Sequence, residues 1–193
     1  MNQDSIILKT HNRLATYFSK NYTVCTNSYN SAIISALLSL NIKNKFILVN
    51  SEYIANILIN INYKPILVNI NDLKDLVYKI KEFKSYCMIL THNSIINLDK
   101  ILSSCIKHNV FIIDDFRKKY SKSIRMIGEL SCFSLEEGSF IQAEEGGFIL
   151  TDIKRFNNSL LSLVGYDKNS KLYNYSYRIT KMQCKFILNL LDK

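Results

Sequence analysis

Short apolar runs alternate along this chain with longer segments whose apolar residues recur at helical spacing. Residues 22–25 read as a strand, followed by the polar turn 26–31 and a helix over about 32–40, with Ser28 or Asn30 as its N-cap. KFILV at 45–49 is a second strand, and the helix from Ser51 to about Asn60 carries Tyr53, Ile57 and Ile61 at helical spacing. PILVNI at 65–70 is a third strand, and Asp72 caps a helix to about Glu82. YCMIL at 86–90 is a fourth, and the helix over 98–108 has an apolar stripe of Ile101, Leu102, Cys105 and Ile106. Residues 110–113 form the fifth strand. Strand followed by helix, repeated at short spacing, predicts a three-layer α/β/α fold with a mostly parallel central sheet and right-handed crossovers.

Residues 110–152 are the centre of this pattern. Three short apolar runs, 110–113, 131–133 and 147–150, are each bounded by polar turn chemistry. Asp114 and Asp115 are expected to close the first run and Ser134 the second, while Glu144, Glu145, Gly146 and Gly147 open the third. Polar groups at strand ends converge on one sheet edge, where α/β proteins bind ligands. Helices are predicted over 153–163 and 180–191, separated by a polar, tyrosine-rich loop at 165–177. No repeat or linker divides the chain, so residues 1–193 are expected to form one domain.

Composition narrows the class. With 193 residues, 48% hydrophobic and 21% charged, the chain is long enough for a sizeable core. Its longest apolar runs fall far below the roughly 20 residues of a membrane span. The N-terminus has an early Asp4 and no cleavage motif, so a cytoplasmic protein with no membrane association is expected. The cysteines Cys25, Cys87, Cys105, Cys132 and Cys184 are odd in number and widely spaced, which fits small buried residues rather than a disulfide framework or zinc site. The net charge of +9 comes from scattered rather than striped Lys and Arg, which points away from a nucleic-acid partner. Asn41, Asn44, Asn62 and Asn109 fall at expected turns, where Asn tolerates left-handed backbone. His11 and His108 read as surface positions on helices, and His92 as a strand-end residue.

Six segments and His92, in order, resemble the DegT family of nucleotide-sugar aminotransferases, which use pyridoxal phosphate (PLP) on the aspartate-aminotransferase fold. TNSYNSAI at 26–33 stands where the family has Ser-Gly-Thr-Ala-Ala-Leu, and KPILVNI at 64–70 where it has Lys-Pro-Val-Phe-Val-Asp-Ile. His92 corresponds to the family's Val-His-Leu-Tyr-Gly turn, and Ile113-Asp114-Asp115 to Ile-Glu-Asp. CFSL at 132–135 is similar to Cys-Phe-Ser-Phe, EGGFILTD at 145–152 to Glu-Gly-Gly-Met-Ile-Val-Thr-Asp, and SYRITKMQ at 176–183 to Asn-Tyr-Arg-Met-Thr-Glu-Leu-Gln.

The resemblance implies a PLP site, in which a carboxylate at the pyridine nitrogen keeps the ring an electron sink. Asp115 matches that carboxylate. Ser134 and the Asn30-Ser31 turn match the phosphate donors. Tyr53 is the candidate for stacking on the ring, and Ser176 stands where an Asn reaches the partner subunit's phosphate. Plainer readings remain open: a strand-end carboxylate for Asp115, an ordinary strand-end serine for Ser134, a core or surface ring for Tyr53. The decisive departure is the Schiff-base lysine, whose position is Ser139. A hydroxyl forms no imine and shuttles protons poorly near neutral pH. The family's Gln beyond the Asp is Lys118, either an amine near the ring or a solvated charge, and the Gly-Thr of the phosphate turn is Tyr29-Asn30. The adjacent Glu136 and Glu137 are expected to carry no acid–base role.

The leading expectation is therefore a family large domain, truncated before the small C-terminal domain, without ordinary transaminase activity. Any PLP is bound non-covalently, and the substrate class by resemblance is a nucleotide sugar. A homodimer, or a heteromer with an intact paralogue, fits the family's shared sites. The alternatives are an active amino-sugar (polysaccharide) enzyme completed by a partner subunit, and a basic, non-enzymatic interaction module.

Overall fold

A seven-stranded sheet with helices on both faces is seen in the computed structural model, which describes residues 3–92, 97–118, 124–167 and 175–192. The elements run α1 (Gln3–Tyr17), β1 (Tyr22–Thr26), α2 (Tyr29–Ser39), β2 (Phe46–Val49), α3 (Glu52–Asn60), β3 (Lys64–Leu67), α4 (Leu73–Phe83), β4 (Cys87–Thr91), α5 (Leu98–Lys107), β5 (Phe111–Phe116), β6 (Leu130–Ser134), β7 (Gly147–Thr151), α6 (Lys154–Val164) and α7 (Lys181–Leu191). The strand order is β1-β7-β6-β5-β4-β2-β3. The run from β3 through β2, β4 and β5 to β6 is parallel, whereas β7 pairs antiparallel with both β6 and β1. The expected mostly parallel sheet is present, with β7 as its reversed strand.

Each face buries its own apolar set. Ile33, Ala36 and Leu37 of α2, Ile54 and Leu58 of α3, and Phe156 and Leu160 of α6 pack on Val24, Ile113, Cys132 and Ile149. Opposite, α4 and α5 cover Leu48, Met88, Leu90 and Ile112, while α1 and α7 cover Phe116, Phe133, Phe148 and Leu150. All five cysteines are free and buried, as expected.

Local chemistry explains most boundaries. Ser28 caps α2 by accepting from the Ser31 N–H, so Asn30 lies inside the helix rather than capping it. Asp72 caps α4 through the Lys74 and Asp75 amides. Thr180 and Gln183 form a capping box on α7. Asn41, Asn62 and Asn109 take φ of 50, 61 and 55°, as read from the sequence. Asn44 does not; its amide donates to the Phe83 and Lys84 carbonyls and its oxygen accepts from the Phe46 N–H.

Three further expectations need correction. Asp114 and Asp115 do not close β5 but lie within it, because each carboxylate finds donors that let the strand continue. The third strand ends at Leu67, an edge strand shorter than expected. His11 is not a surface residue: it is buried on α1, accepts a hydrogen bond from the Cys25 N–H at 3.1 Å through Nε2, and meets the Tyr166 ring edge-on.

Candidate functional site

The carboxyl ends of β4, β5 and β6 meet the N-termini of α2 and α3, and the polar residues gather there. Successive strand residues point to opposite faces, so Asp114 and Asp115 separate. Asp114 is fully buried on the α4–α5 side. Its Oδ2 accepts from the Ile127 and Gly128 amides at 3.0 and 2.8 Å and from the Ser131 hydroxyl at 3.0 Å, and its Oδ1 lies 2.7 Å from His92 Nε2. The His92 ring stacks on Phe116 at 4.4 Å, continuing a row through Phe133 to Phe148. His92 is thus held at the strand end, as expected, by a hydrogen-bonded carboxylate and an aromatic neighbour.

Asp115 faces α2 and α3. Its Oδ2 accepts from the Thr91 hydroxyl at 2.6 Å, and its Oδ1 accepts from the Arg117 N–H at 2.9 Å and from the Tyr29 hydroxyl. Tyr29 is completely buried, and burial together with the neighbouring Asp115 carboxylate pushes its phenol well above the usual range, so the hydroxyl stays a neutral donor. Beside Asp115 lies a cavity of about 190 Å³ lined by Ser51, Tyr53, Thr91, His92, Asp115, Arg117 and Lys118. The Arg117 guanidinium covers the Tyr53 ring at 3.7 Å and lies 5.9 Å from the Tyr29 ring. Its terminal nitrogen is 3.8 Å from Glu136, giving that carboxylate a loose ion pair where no role was expected. Lys118 is exposed at the cavity rim.

The other sequence candidates do not face this cavity. Asn30 accepts from the Tyr53 hydroxyl at 2.9 Å. The Ser31 hydroxyl is turned back to Asn27 and Ser28 at 2.8 Å each. Ser134, at the end of β6, accepts from the Glu136 N–H at 3.0 Å. Ser139 is buried in the following turn, its hydroxyl within reach of the Glu136 carbonyl and 2.8 Å from the Ile141 carbonyl. Ser176 has φ of 54° and adjoins Tyr177, whose carbonyl accepts from the Asn27 N–H at 2.8 Å, so it stands next to the start of α2. Gly147 lets that start approach the sheet: a Cβ there would lie about 3 Å from the Ser28 and Phe133 carbonyls and Tyr29 Cα.

The sequence motifs and this geometry agree with a match of residues 7–193 to the family model for DegT/DnrJ/EryC1/StrS aminotransferases. The chain belongs to that family. A protein of Micromonospora echinospora, named an L-glutamine:3-amino-2,3-dideoxy-scyllo-inosose aminotransferase, is 25% identical over 156 residues, which cover 70% of this chain and 37% of the relative. NtdA from Bacillus subtilis, solved with the cofactor PMP, superposes with a TM-score of 0.84 at 18% identity, over 96% of this chain and 47% of that one. A GDP-4-keto-6-deoxymannose-3-dehydratase (ColD), solved as a point mutant with bound GDP-perosamine, gives 0.81 at 16% identity, over 98% and 61%. The fold is the large domain of the fold-type I aminotransferases, and the chain spans about half the length of these solved neighbours or less than two fifths of the curated relative.

This DegT-family chain does not offer a PLP ring the surroundings its resemblance implied. Asp115, expected at the pyridine nitrogen, already accepts from the Tyr29 phenol. Tyr53, the ring expected to stack on the cofactor, has the Arg117 guanidinium over its face. Tyr29 was visible in the sequence only as a departure from the family glycine. Arg117 and Thr91 carried no sequence signal, because their roles arise from β4 and β5 ending side by side. Among the described residues no group of three or more His, Cys, Asp or Glu side chains is placed to hold a metal, and no helix is long and apolar enough to cross a membrane.

Proposed function

We propose that this protein is a non-transaminating member of the sugar aminotransferase family, acting in the cytoplasm within nucleotide-sugar metabolism. The observation that carries the reading is Ser139: at the lysine position it presents a hydroxyl, and that hydroxyl is turned into its own loop, bonded to backbone carbonyls rather than aimed at Asp115. Serine has no amine to hold an aldehyde as an imine. What this chain's residues do at the site is structural: Asp114 ties β5 to the 127–131 segment and to His92, and Asp115 ties the ends of β4 and β5 to α2.

A binding role beside another subunit accords with the surface of α7. Met182, Phe186 and Leu190 recur at every fourth position of that helix and are exposed, with Lys181 just before Met182 and Lys185 just before Phe186. An apolar stripe of that kind is suited to burial against a partner. We place a second copy or a catalytically intact paralogue there, with a nucleotide sugar as the substrate class of the assembly. The reading is tested by mixing the protein with PLP and an amino donor, glutamine or glutamate, and following the cofactor's absorbance. No donor-dependent conversion is expected, and stoichiometric conversion would contradict the reading.

A second reading has one observation in its favour: Lys118 lines the same cavity as Asp115. An amine there is a relocated candidate for the missing lysine, and chemical trapping separates the two readings.

A further inference from the structure

We infer that this chain has filled its own cofactor slot, so that a PLP ring is excluded even from non-covalent binding. The inference goes beyond the loss of the lysine and does not depend on it.

Within the family resemblance, a bound PLP spans two points: the phosphate turn at the start of α2 and the carboxylate at Asp115. Tyr29 spans the same two points. Its backbone is the first residue of α2 and its hydroxyl ends on Asp115 Oδ1. The flat, wholly buried phenol thus lies along the path between phosphate end and ring-nitrogen end, and its O–H makes the bond to the carboxylate that a pyridinium N–H would make. The family glycine at this position leaves that path open; a tyrosine closes it.

The second wall of the slot is closed as well. A pyridine ring needs about 3.5 Å of clearance to stack on Tyr53, and the Arg117 guanidinium lies over that ring at 3.7 Å. The Arg117 backbone is held by its own N–H on Asp115, and its guanidinium lies 3.8 Å from Glu136. The cavity that remains, about 190 Å³, still reaches Asp115 and Tyr53, but Ser31 and Ser134, the phosphate candidates, are not among its lining residues. Asp115, Tyr53, Ser134 and the Gly146-Gly147 turn are therefore all present, but Tyr29 takes the way from the phosphate turn to Asp115 and Arg117 takes the face of Tyr53.

Pyridoxine phosphate is the appropriate probe, because it has the ring and phosphate of PLP but no aldehyde to react with surface lysines. The wild-type chain is expected to show no saturable binding by equilibrium dialysis up to millimolar probe and no rise in melting temperature. The double variant Tyr29→Gly/Arg117→Ala is expected to bind saturably, with a melting temperature that rises with probe concentration by ligand linkage. Tyr29→Phe, which keeps the ring and loses only the hydroxyl, should still exclude the probe and serves as the folded control. Saturable binding to the wild type would overturn the inference while leaving the absence of transamination standing, and so would a folded double variant that does not bind. Donor-dependent turnover by the wild type would overturn both.

Discussion

The Tyr29 hydroxyl donates to Asp115 Oδ1 while the Thr91 hydroxyl donates to Oδ2, so one carboxylate joins the start of α2 to the ends of β4 and β5. Asp115 is 3% exposed, too little for water to replace a lost donor. Removing the phenol oxygen from a charged acceptor costs about 1.5–3 kcal/mol. Tyr29→Phe is therefore expected to lower unfolding free energy by that amount in urea titrations, with an unchanged m-value.

Asp114 holds more. Its two oxygens serve two backbone amides, the Ser131 hydroxyl and His92, all from a position with no exposure. Asp114→Ala leaves several buried donors unpaired at about 1–3 kcal/mol each, so the variant should lose most of the stability of an ordinary domain, about 5–15 kcal/mol. Circular dichroism melting should show a much earlier or uncooperative transition. A shift of only a few degrees would contradict the role assigned to Asp114.

His11 gives stability a pH dependence of known sign. Burial pushes its imidazole from 6.5 down to about 4, and its Nε2 accepts from the Cys25 N–H, which requires the neutral ring. Between those values the unfolded chain binds a proton that the folded chain does not, so this contribution is full above pH 6.5, falls as the pH drops toward 4, and is exhausted below that. Its size is about 3 kcal/mol. His11→Gln, which keeps an acceptor and does not titrate, should flatten the slope; comparing urea unfolding of the two proteins at about pH 7 and about pH 5, on either side of the free imidazole's range, checks this.

Gly147 is needed for contact rather than for backbone freedom. A methyl group there would press on the Ser28 carbonyl at 2.9 Å and on Tyr29 Cα at 3.0 Å. Gly147→Ala should cost about 1–3 kcal/mol as an overpacked contact, read as a lower urea midpoint, and should displace the start of α2.

Much of the scaffold was legible because its signals are local. Apolar runs marked the strands, and Asp72 and one of the two candidates Ser28 and Asn30 announced their helices through side-chain caps. The first helix, α1, was read only as a helix carrying His11, without bounds or a buried face; it buries Ile7 and Leu14, with Phe18 just past its end, against residues far along the chain, Phe133 and Ile187 among them, and those partners are invisible to periodicity. The reversal of β7 was also hidden, since a five-residue apolar strand carries no direction. At the site, Asp115 and the Gly146-Gly147 turn were found by motif. Tyr29 and Arg117 were not recognised as its occupants, because a side chain that fills a site looks in sequence like any other buried tyrosine or surface arginine.

The most direct test of the central claim, that no lysine of this chain holds a cofactor as an imine, is borohydride reduction of the protein with stoichiometric, micromolar PLP followed by peptide mapping. The account predicts no stoichiometric pyridoxyl group on any single lysine. One equivalent on the peptide carrying Lys118, abolished by Lys118→Ala, would contradict it and establish a relocated catalytic lysine.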